Sequence, residues 1–233
     1  MTQSLRCYAT VEFDCSYLPQ QKARNLVLDP AQKIDTEICS QLADFGFRRS
    51  GDMLYRPHCD QCQACVALRL PVQQFKPNRS QRRNWKQNEA ICHSPHPAQF
   101  NPEHFALYQR YLQSRHTDSS MANPSREEYL SFLTSAGVNT CFHEFRLDGQ
   151  LIAVAVTDHL PNGCSAVYTF FEPALASRGL GTYAILWQIR ETQRLQRPWL
   201  YLGYWIEACR EMRYKAHFKP LEGFQNDQWQ PLS

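Results

Sequence analysis

Three cysteines stand at a repeated two-residue spacing in "RPHCDQCQAC": Cys59, Cys62 and Cys65, just after Pro57. Thiols so placed are a metal clip, a redox device, or neither. The chain has 233 residues and ten cysteines. That many would suit a disulfide framework only in a secreted chain. The start, "MTQSLRCYATVEFDC", lacks a basic stretch followed by an apolar run, so no secretion signal is read and a cytoplasmic location is expected. Thiols there stay reduced, and clustered ones point to metal or chemistry. Cys7, Cys39, Cys92, Cys141, Cys164 and Cys209 are scattered, and are read as small buried hydrophobes.

Basic residues form the second group able to do chemistry. "FKPNRSQRRNWK" carries Lys76, Arg79, Arg82, Arg83 and Lys86 with no acid among them. On a helix, Arg79, Arg82, Arg83 and Lys86 make one stripe. A stripe of one sign forgoes ion pairs, which suits nucleic-acid phosphate. Its guanidinium forks also match carboxylates. Two weaker groups follow, Arg190/Arg194/Arg197 and Arg210/Arg213/Lys215/Lys219. With the first they suggest an extended anionic ligand, although the net charge is only +3. "AVYTFFEP" and "WLYLGYWI" are dense in aromatics. Most belong to a core, and some tyrosines, Tyr168 and Tyr204 among them, are candidates to line a slot. There is no Gly-x-Ser-x-Gly elbow and no His-Glu-x-x-His helix. That favours a substrate that brings its own nucleophile.

Elements must position these groups. Hydrophobic residues make up 43% and charged ones 20%, as in ordinary globular proteins, and no run approaches a membrane span. "DPAQKIDTEICSQLADFGF" predicts a helix capped by Asp29 and ended at Gly46. "VALRLPV" predicts a strand, and "NRSQRRNWKQNEA" a polar helix. "SPHPAQFNP" reads as a proline-rich connector, placing a boundary between residues 1–95, an α/β segment holding the cysteines and the basic helix, and residues 96–233. Two amphipathic helices follow, the first with a stripe of Phe105, Tyr108 and Leu112. From residue 140 three strands are expected, with a hairpin turn at Asp148-Gly149 and another turn at "LPNG". Next come Arg178-Gly179-Leu180-Gly181-Thr182 opening a long helix, a strand at "PWLYLGYWI", and a short helix at "ACREMRYKAHF". This α+β order is that of a GCN5-related N-acetyltransferase-like domain, in which a glycine loop at a helix N-terminus cups carrier phosphates.

The chain resembles the bacterial aspartate/glutamate leucyltransferases, relatives of the arginyl-tRNA–protein transferases. The resemblance rests on "CSYLP", "DPAQKIDTEICSQLADFGFRRSGDMLYRPHCDQCQACVALRLPV", "FKPNRSQRR", "AVAVTDHLPNGCSAVYTFFEP", "RGLGTYAILWQI" and "YLGYWIEACREMRYKAHFKPLE", and runs from about Cys15 to Glu222. It implies transfer of leucine from leucyl-tRNA to proteins beginning with Asp or Glu, marking them for N-degron degradation, with no cofactor required and no membrane or DNA partner. The acceptor's α-amine, with a pKa near ~8, is then the nucleophile.

In eukaryotic relatives N-terminal cysteines are linked to iron–sulfur binding. Cys15, Cys59, Cys62 and Cys65 occupy the corresponding region here, although a lone cysteine plus an even run departs from the eukaryotic two pairs. Four thiolates suffice for zinc or for a cluster. Asp158 and Tyr168, in matching blocks, are expected at the reaction centre. Arg79, Arg82 and Arg83 are expected to read the acceptor carboxylate, with Lys86 on tRNA and Arg178 or Lys215 as the alternative readers. Gly179 and Gly181 belong to the carrier loop. Phe170, Phe171, Leu186 and Trp187 are expected to line an apolar aminoacyl slot. The competing readings are an arginyl-tRNA–protein transferase, an acyl-CoA-dependent N-acyltransferase, and a metal-stapled RNA-binding module.

Overall fold

The computed structural model describes residues 5–115 and 123–232. Its first part holds β1 (Cys7–Ala9), β2 (Phe13–Asp14), β3 (Lys22–Ala23), β4 (Asn25–Leu28), α1 (Thr36–Asp44), β5 (Arg48–Ser50), β6 (Met53–Pro57), β7 (Val66–Pro71), α2 (Arg79–Gln87) and β8 (Cys92–Pro97). Its second part holds α3 (Pro102–Arg115), α4 (Arg126–Leu133), β9 (Thr140–Leu147), β10 (Gln150–Leu160), β11 (Gly163–Phe171), α5 (Leu180–Arg194), β12 (Trp199–Trp205), a 3₁₀ segment Arg210–His217, β13 (Glu222–Gln225) and β14 (Gln228–Pro231). No helix among the described residues is long and apolar enough to cross a membrane.

These elements make a mixed α/β protein around one eight-stranded sheet, ordered β14-β13-β7-β12-β11-β10-β9-β8. The order explains the sequence pattern. β10 is buried on both faces, so it reads as a near-continuous apolar run. Its alternation still sorts the faces. Ala153 and Ala155 pack with Phe145, Tyr183 and Trp187 on the α5 side. Val154 and Val156 pack with Leu107, Tyr108, Tyr129 and Phe170 under α3 and α4. A smaller sheet, β1-β4-β6-β5, closes with α1 over Leu160 and Tyr201.

Most expected elements form, and three differ. The first helix starts later: Asp35, not Asp29, is its N-cap, accepting from Ile38 N at 2.8 Å. Asp29 instead accepts from Ala31 N at 2.9 Å, turning the chain before the helix. Gly46 does end the helix, with φ +76° and its N–H donating to Ala43 O. Secondly, the proline-rich connector is partly strand β8, pairing Pro95 with His143 and Pro97 with Cys141. Proline is tolerated there because β8 is an edge. Thirdly, the expected boundary at residue 95 is crossed by the large sheet itself, since β7 lies between β12 and β13. The Asp148-Gly149 turn forms as expected, with φ of 51° and 81°.

Candidate functional site

Every neighbouring pair in the large sheet is antiparallel except β11 and β12. These two run parallel and pair only at Gly163–Trp199, Cys164–Leu200 and Ser165–Tyr201. Beyond Ser165 they part, leaving backbone groups that a ladder would have used. Two cations from distant elements take those acceptors. Arg48, on β5, donates through Nη2 to Val167 O on β11. Lys215, in the 3₁₀ segment, donates through Nζ to Leu202 O at 2.8 Å and Tyr204 O at 2.7 Å on β12. Gly203, between those two carbonyls, has φ +69°, and a Cβ there would collide with the Arg48 guanidinium. The glycine thus makes room for the arginine.

Around this wedge the side chains are aromatic and basic. Burial foremost, and then the neighbouring Arg48, lower Lys215 to about 7 against the opposing pull of Cys209. An amine so tuned is partly neutral at physiological pH. Burial raises Tyr214, with Arg48 and Arg115 pulling it down. Burial likewise raises Tyr168 well above the usual phenol range, aided by Tyr111 and Tyr108 and opposed by Arg115 and Arg48. Tyr168 is therefore a neutral hydroxyl beside two guanidiniums. Arg115 lies 4.8 Å over the Tyr111 ring and 5.8 Å over Phe171. Among the described residues no carboxylate forms an ion pair with Arg48, Arg115 or Lys215. The cleft can receive an anion and hold a neutral amine.

A cleft lies on the other side of Tyr204 from this wedge, with Tyr204 in its wall. It has a volume of about 790 Å³ and its lining includes Cys15, Tyr17, Tyr55, Cys59, Cys62 and Cys65. The four expected thiols all line this cleft, but no three of them bring their sulfurs within 4.8 Å of one another. Burial, then Cys59, Cys15, Cys62 and Cys209, push the Cys65 thiol up to about 12. Cys209 joins this group from the turn before the 3₁₀ segment. It was read as a scattered cysteine because its nearness to Cys65 spans more than a hundred residues and leaves no local pattern.

The structure relocates several expected site residues. Asp158 does not face the cleft. It is 3% exposed, and Arg49 grips both its oxygens, Nε to Oδ2 at 2.6 Å and Nη2 to Oδ1 at 2.7 Å. Thr140 adds a bond at 2.7 Å. An aspartate so satisfied holds β5 to β10 and has no capacity left for a substrate. Phe170 is fully buried against Tyr108 and Tyr129 and Trp187 lies in the core under α5, so neither lines a slot, while Leu186, largely buried in the same way, lines only the groove between α2 and α5. Phe171 alone stays half-buried, beside Tyr111 and Arg115. Tyr204 is also tied down, its hydroxyl lying 3.0 Å from Gly46 O and 2.9 Å from Tyr55 O. Tyr168 and Lys215 are the expected residues that each lie within the influence of Arg48, and Arg48 and Arg115 were not among the residues expected from sequence.

The glycine loop is covered. α2 lies across the start of α5, and Asn84 donates to Arg178 O at 2.8 Å and Gly179 O at 3.2 Å. Asn88 donates to Arg178 O at 3.0 Å, while the Arg178 guanidinium donates back to Gln87 O and Asn88 Oδ1. Gly179 has φ +63°, and a Cβ there would lie 2.7 Å from Asn84 Nδ2. Gly181 follows in the first turn of α5. The opposite face of α2 carries the basic stripe. Arg79, Arg82, Arg83 and Lys86 are all exposed, and none is among the charges acting on Tyr168, Tyr214 or Lys215. Between α2 and α5 a groove of about 350 Å³ is lined by Arg82, Trp85 and Arg190, with the Arg190 guanidinium 3.6 Å over the Trp85 ring.

Known proteins match the chain along its length. The family described as "Arginine-tRNA-protein transferase, N terminus" matches residues 13–83, and its C-terminal counterpart matches residues 103–225. An aspartate/glutamate leucyltransferase of Pseudomonas aeruginosa (strain LESB58) is 52% identical over 229 residues, covering 98% of this chain and 97% of its own. Another, from Pseudomonas fluorescens (strain Pf0-1), is also 52% identical with the same coverage. Among solved structures, L-PGS from Bacillus licheniformis aligns with TM-score 0.48 and 10% identity, over 71% of this chain and 49% of that one. The chain belongs to the arginine-tRNA-protein transferase family and, at half its residues identical over nearly its whole length, to that family's aspartate/glutamate leucyltransferases.

Proposed function

We propose that this enzyme transfers leucine from leucyl-tRNA to the α-amine of proteins beginning with Asp or Glu, marking them for N-degron degradation in the cytoplasm. The observation that carries the mechanism is the pair of cations wedged between β11 and β12. The acceptor's side-chain carboxylate meets Arg48, with Arg115 beside it. A carboxylate there supplies the counter-charge that this group of cations lacks. Lys215, lowered to about 7, takes the proton from the acceptor's α-ammonium. Lys215 passes that proton to solvent; the neutral amine attacks the ester carbonyl carbon, the C–N bond forms, the ester C–O bond breaks, and Lys215 carries the second amine proton to the departing ribose oxygen. Tyr168, a neutral hydroxyl, donates to the carbonyl oxygen as it gains charge. No covalent enzyme intermediate is needed, because the ester is already activated and positioning supplies much of the rate.

Meander, glycine loop, α5 and parallel β12 come in the order expected of a GCN5-related fold, and the parting of β11 and β12 supports a reaction site between them. In an acyl-CoA enzyme of that order the carrier phosphates would sit at the start of α5. Here α2 packs against that start, with Asn84 and Asn88 donating to the Arg178 and Gly179 carbonyls. The exposed stripe on α2 and the Arg82–Trp85–Arg190 groove supply a basic and aromatic surface suited to tRNA. The donor set of Cys15, Cys59, Cys62 and Cys65 suits a thiolate-bound zinc ion or iron–sulfur group in chemical type, although the sulfurs would have to draw closer to hold one. Such a group would staple the cleft wall or sense redox state, and the transfer does not pass through it.

The test is direct. Purified protein is offered leucyl-tRNA or arginyl-tRNA with a peptide beginning in Asp, and the peptide mass is read. Addition of one leucine is expected. Addition of arginine without leucine would overturn the assignment.

A further inference from the structure

On the α5 side of the large sheet, β9 and β10 bring a second set of metal-type donors together. Cys141 and His143 are two residues apart on β9, so they share a face. Cys141 pairs across with Thr157, which bonds to Gln188 of α5. His159, two residues further along β10, extends the same row. One donor atom from each of Cys141, His143 and His159 lies within 4.8 Å of the other two. Among the described residues no other such trio is gathered so closely, the cysteine-lined cleft included. Cys141 Sγ is 3.9 Å from His143 Nδ1.

A second observation points to a missing partner. His143 is 3% exposed, yet its Nε2 has no hydrogen bond. Buried polar atoms are rarely left so. Trp187 closes over the ring at 4.5 Å. One turn beyond Trp187, the Glu191 carboxylate acts on Cys141, His143 and His159 alike. His93 and His96 also act on His143, and Arg194 holds Glu191.

We propose that Cys141, His143 and His159 form a binding site for a divalent metal of the zinc class, with Glu191 completing four donors. One thiolate, two imidazoles and a carboxylate match zinc in type and number. The ion would staple β9 and β10 to α5, away from the cleft between β11 and β12. One group opposes it: Arg197 Nη1 donates to His159 Nδ1 at 3.2 Å. That guanidinium also reaches Gly163 O and Cys164 Sγ, so it keeps partners after yielding the imidazole.

The probe is Co²⁺, titrated into the full chain carrying Cys59→Ser and Cys62→Ser to weaken the other thiol site, then displaced by Zn²⁺. One equivalent is expected, with a thiolate-to-cobalt absorption band and tetrahedral d–d bands, and Zn²⁺ should raise the thermal midpoint. Cys141→Ser, a near-isosteric change, should abolish the thiolate band. Both it and His159→Ala should weaken binding more than ~100-fold, beyond the effect of losing a residue that only orients a ligand. Arg197→Gln should tighten binding ~tenfold or more by removing a like charge. No bound equivalent in the parent, or binding that survives either Cys141→Ser or His159→Ala, overturns the site. Leucine transfer plays no part in these readouts, so they stand or fall apart from the proposed activity.

Discussion

Arg48 and Arg49 are neighbours on β5 and meet opposite fates. Successive strand residues point to opposite faces. Arg49 turns into the protein, where Asp158 matches it fork to fork with both side chains 4% exposed. Arg48 turns toward the parting of β11 and β12, where it finds a carbonyl and no carboxylate. The first arginine is a closed ion pair whose work is to join β5 to β10. The second is an open one, completed by whatever anion enters. The difference teaches how one strand can serve both stability and recognition: the closed pair fixes the backbone that aims the open cation. Substitutions on the two sides should therefore separate cleanly, one set moving stability and the other moving turnover.

The largest effect is expected at the closed pair. Asp158→Asn leaves Arg49 buried without its counter-charge, which costs about 3–5 kcal/mol of unfolding free energy. Urea denaturation measures this, and the molecules still folded should keep their preference for Asp over Asn acceptors. A mutant of normal stability but dead in transfer would return Asp158 to the reaction centre. At the open side, Lys215→Met should lower kcat by roughly 10²–10⁴-fold. Affinity for leucyl-tRNA should stay unchanged in a filter-binding assay.

The pH dependence follows from the same residue. Burial disfavours the charged ammonium, so Lys215 is a proton acceptor above about 7 and is lost as a base below it. The wild-type rate should rise as pH climbs through about 7, whereas the residual rate of the methionine variant should rise only as the acceptor's own amine deprotonates, nearer ~8. A smaller effect is expected on α2. Lys86→Ala should weaken tRNA binding by only a few-fold and reduce the slope of log affinity against log salt by about one. Acceptor preference should not move. A change in preference there would shift the carboxylate reader back to the basic stripe.

How far sequence reached depended on whether a feature is local. The Asp148-Gly149 turn and the Gly46 stop are written in a few adjacent residues, and each forms. The choice between Asp29 and Asp35 as helix cap was not decidable locally, since both are followed by helix-compatible residues. β8 looked like a connector because its prolines forbid a central strand, and only the sheet order shows it to be an edge. Asp158 drew attention as a carboxylate in a matching block, but its role is set by Arg49, 109 residues earlier. Arg48 offered no motif at all. Its meaning comes from three distant facts: the parting of β11 and β12, the open φ of Gly203, and the arrival of Lys215. The thiol run was legible as a group, while Cys209 was not.

The central claim is that the cation beside Val167 reads the acceptor. The most direct measurement is the ratio of kcat/KM for peptides beginning with Asp and with Asn, in the wild type and in Arg48→Gln. Loss of one partner of a desolvated charge pair costs about 2–5 kcal/mol, so the ratio should fall by roughly 30-fold or more in the variant. Leucyl-tRNA affinity and the urea midpoint should stay close to wild type. A ratio unchanged in Arg48→Gln, with transfer still efficient, would contradict the account and move acceptor recognition away from the gap between β11 and β12.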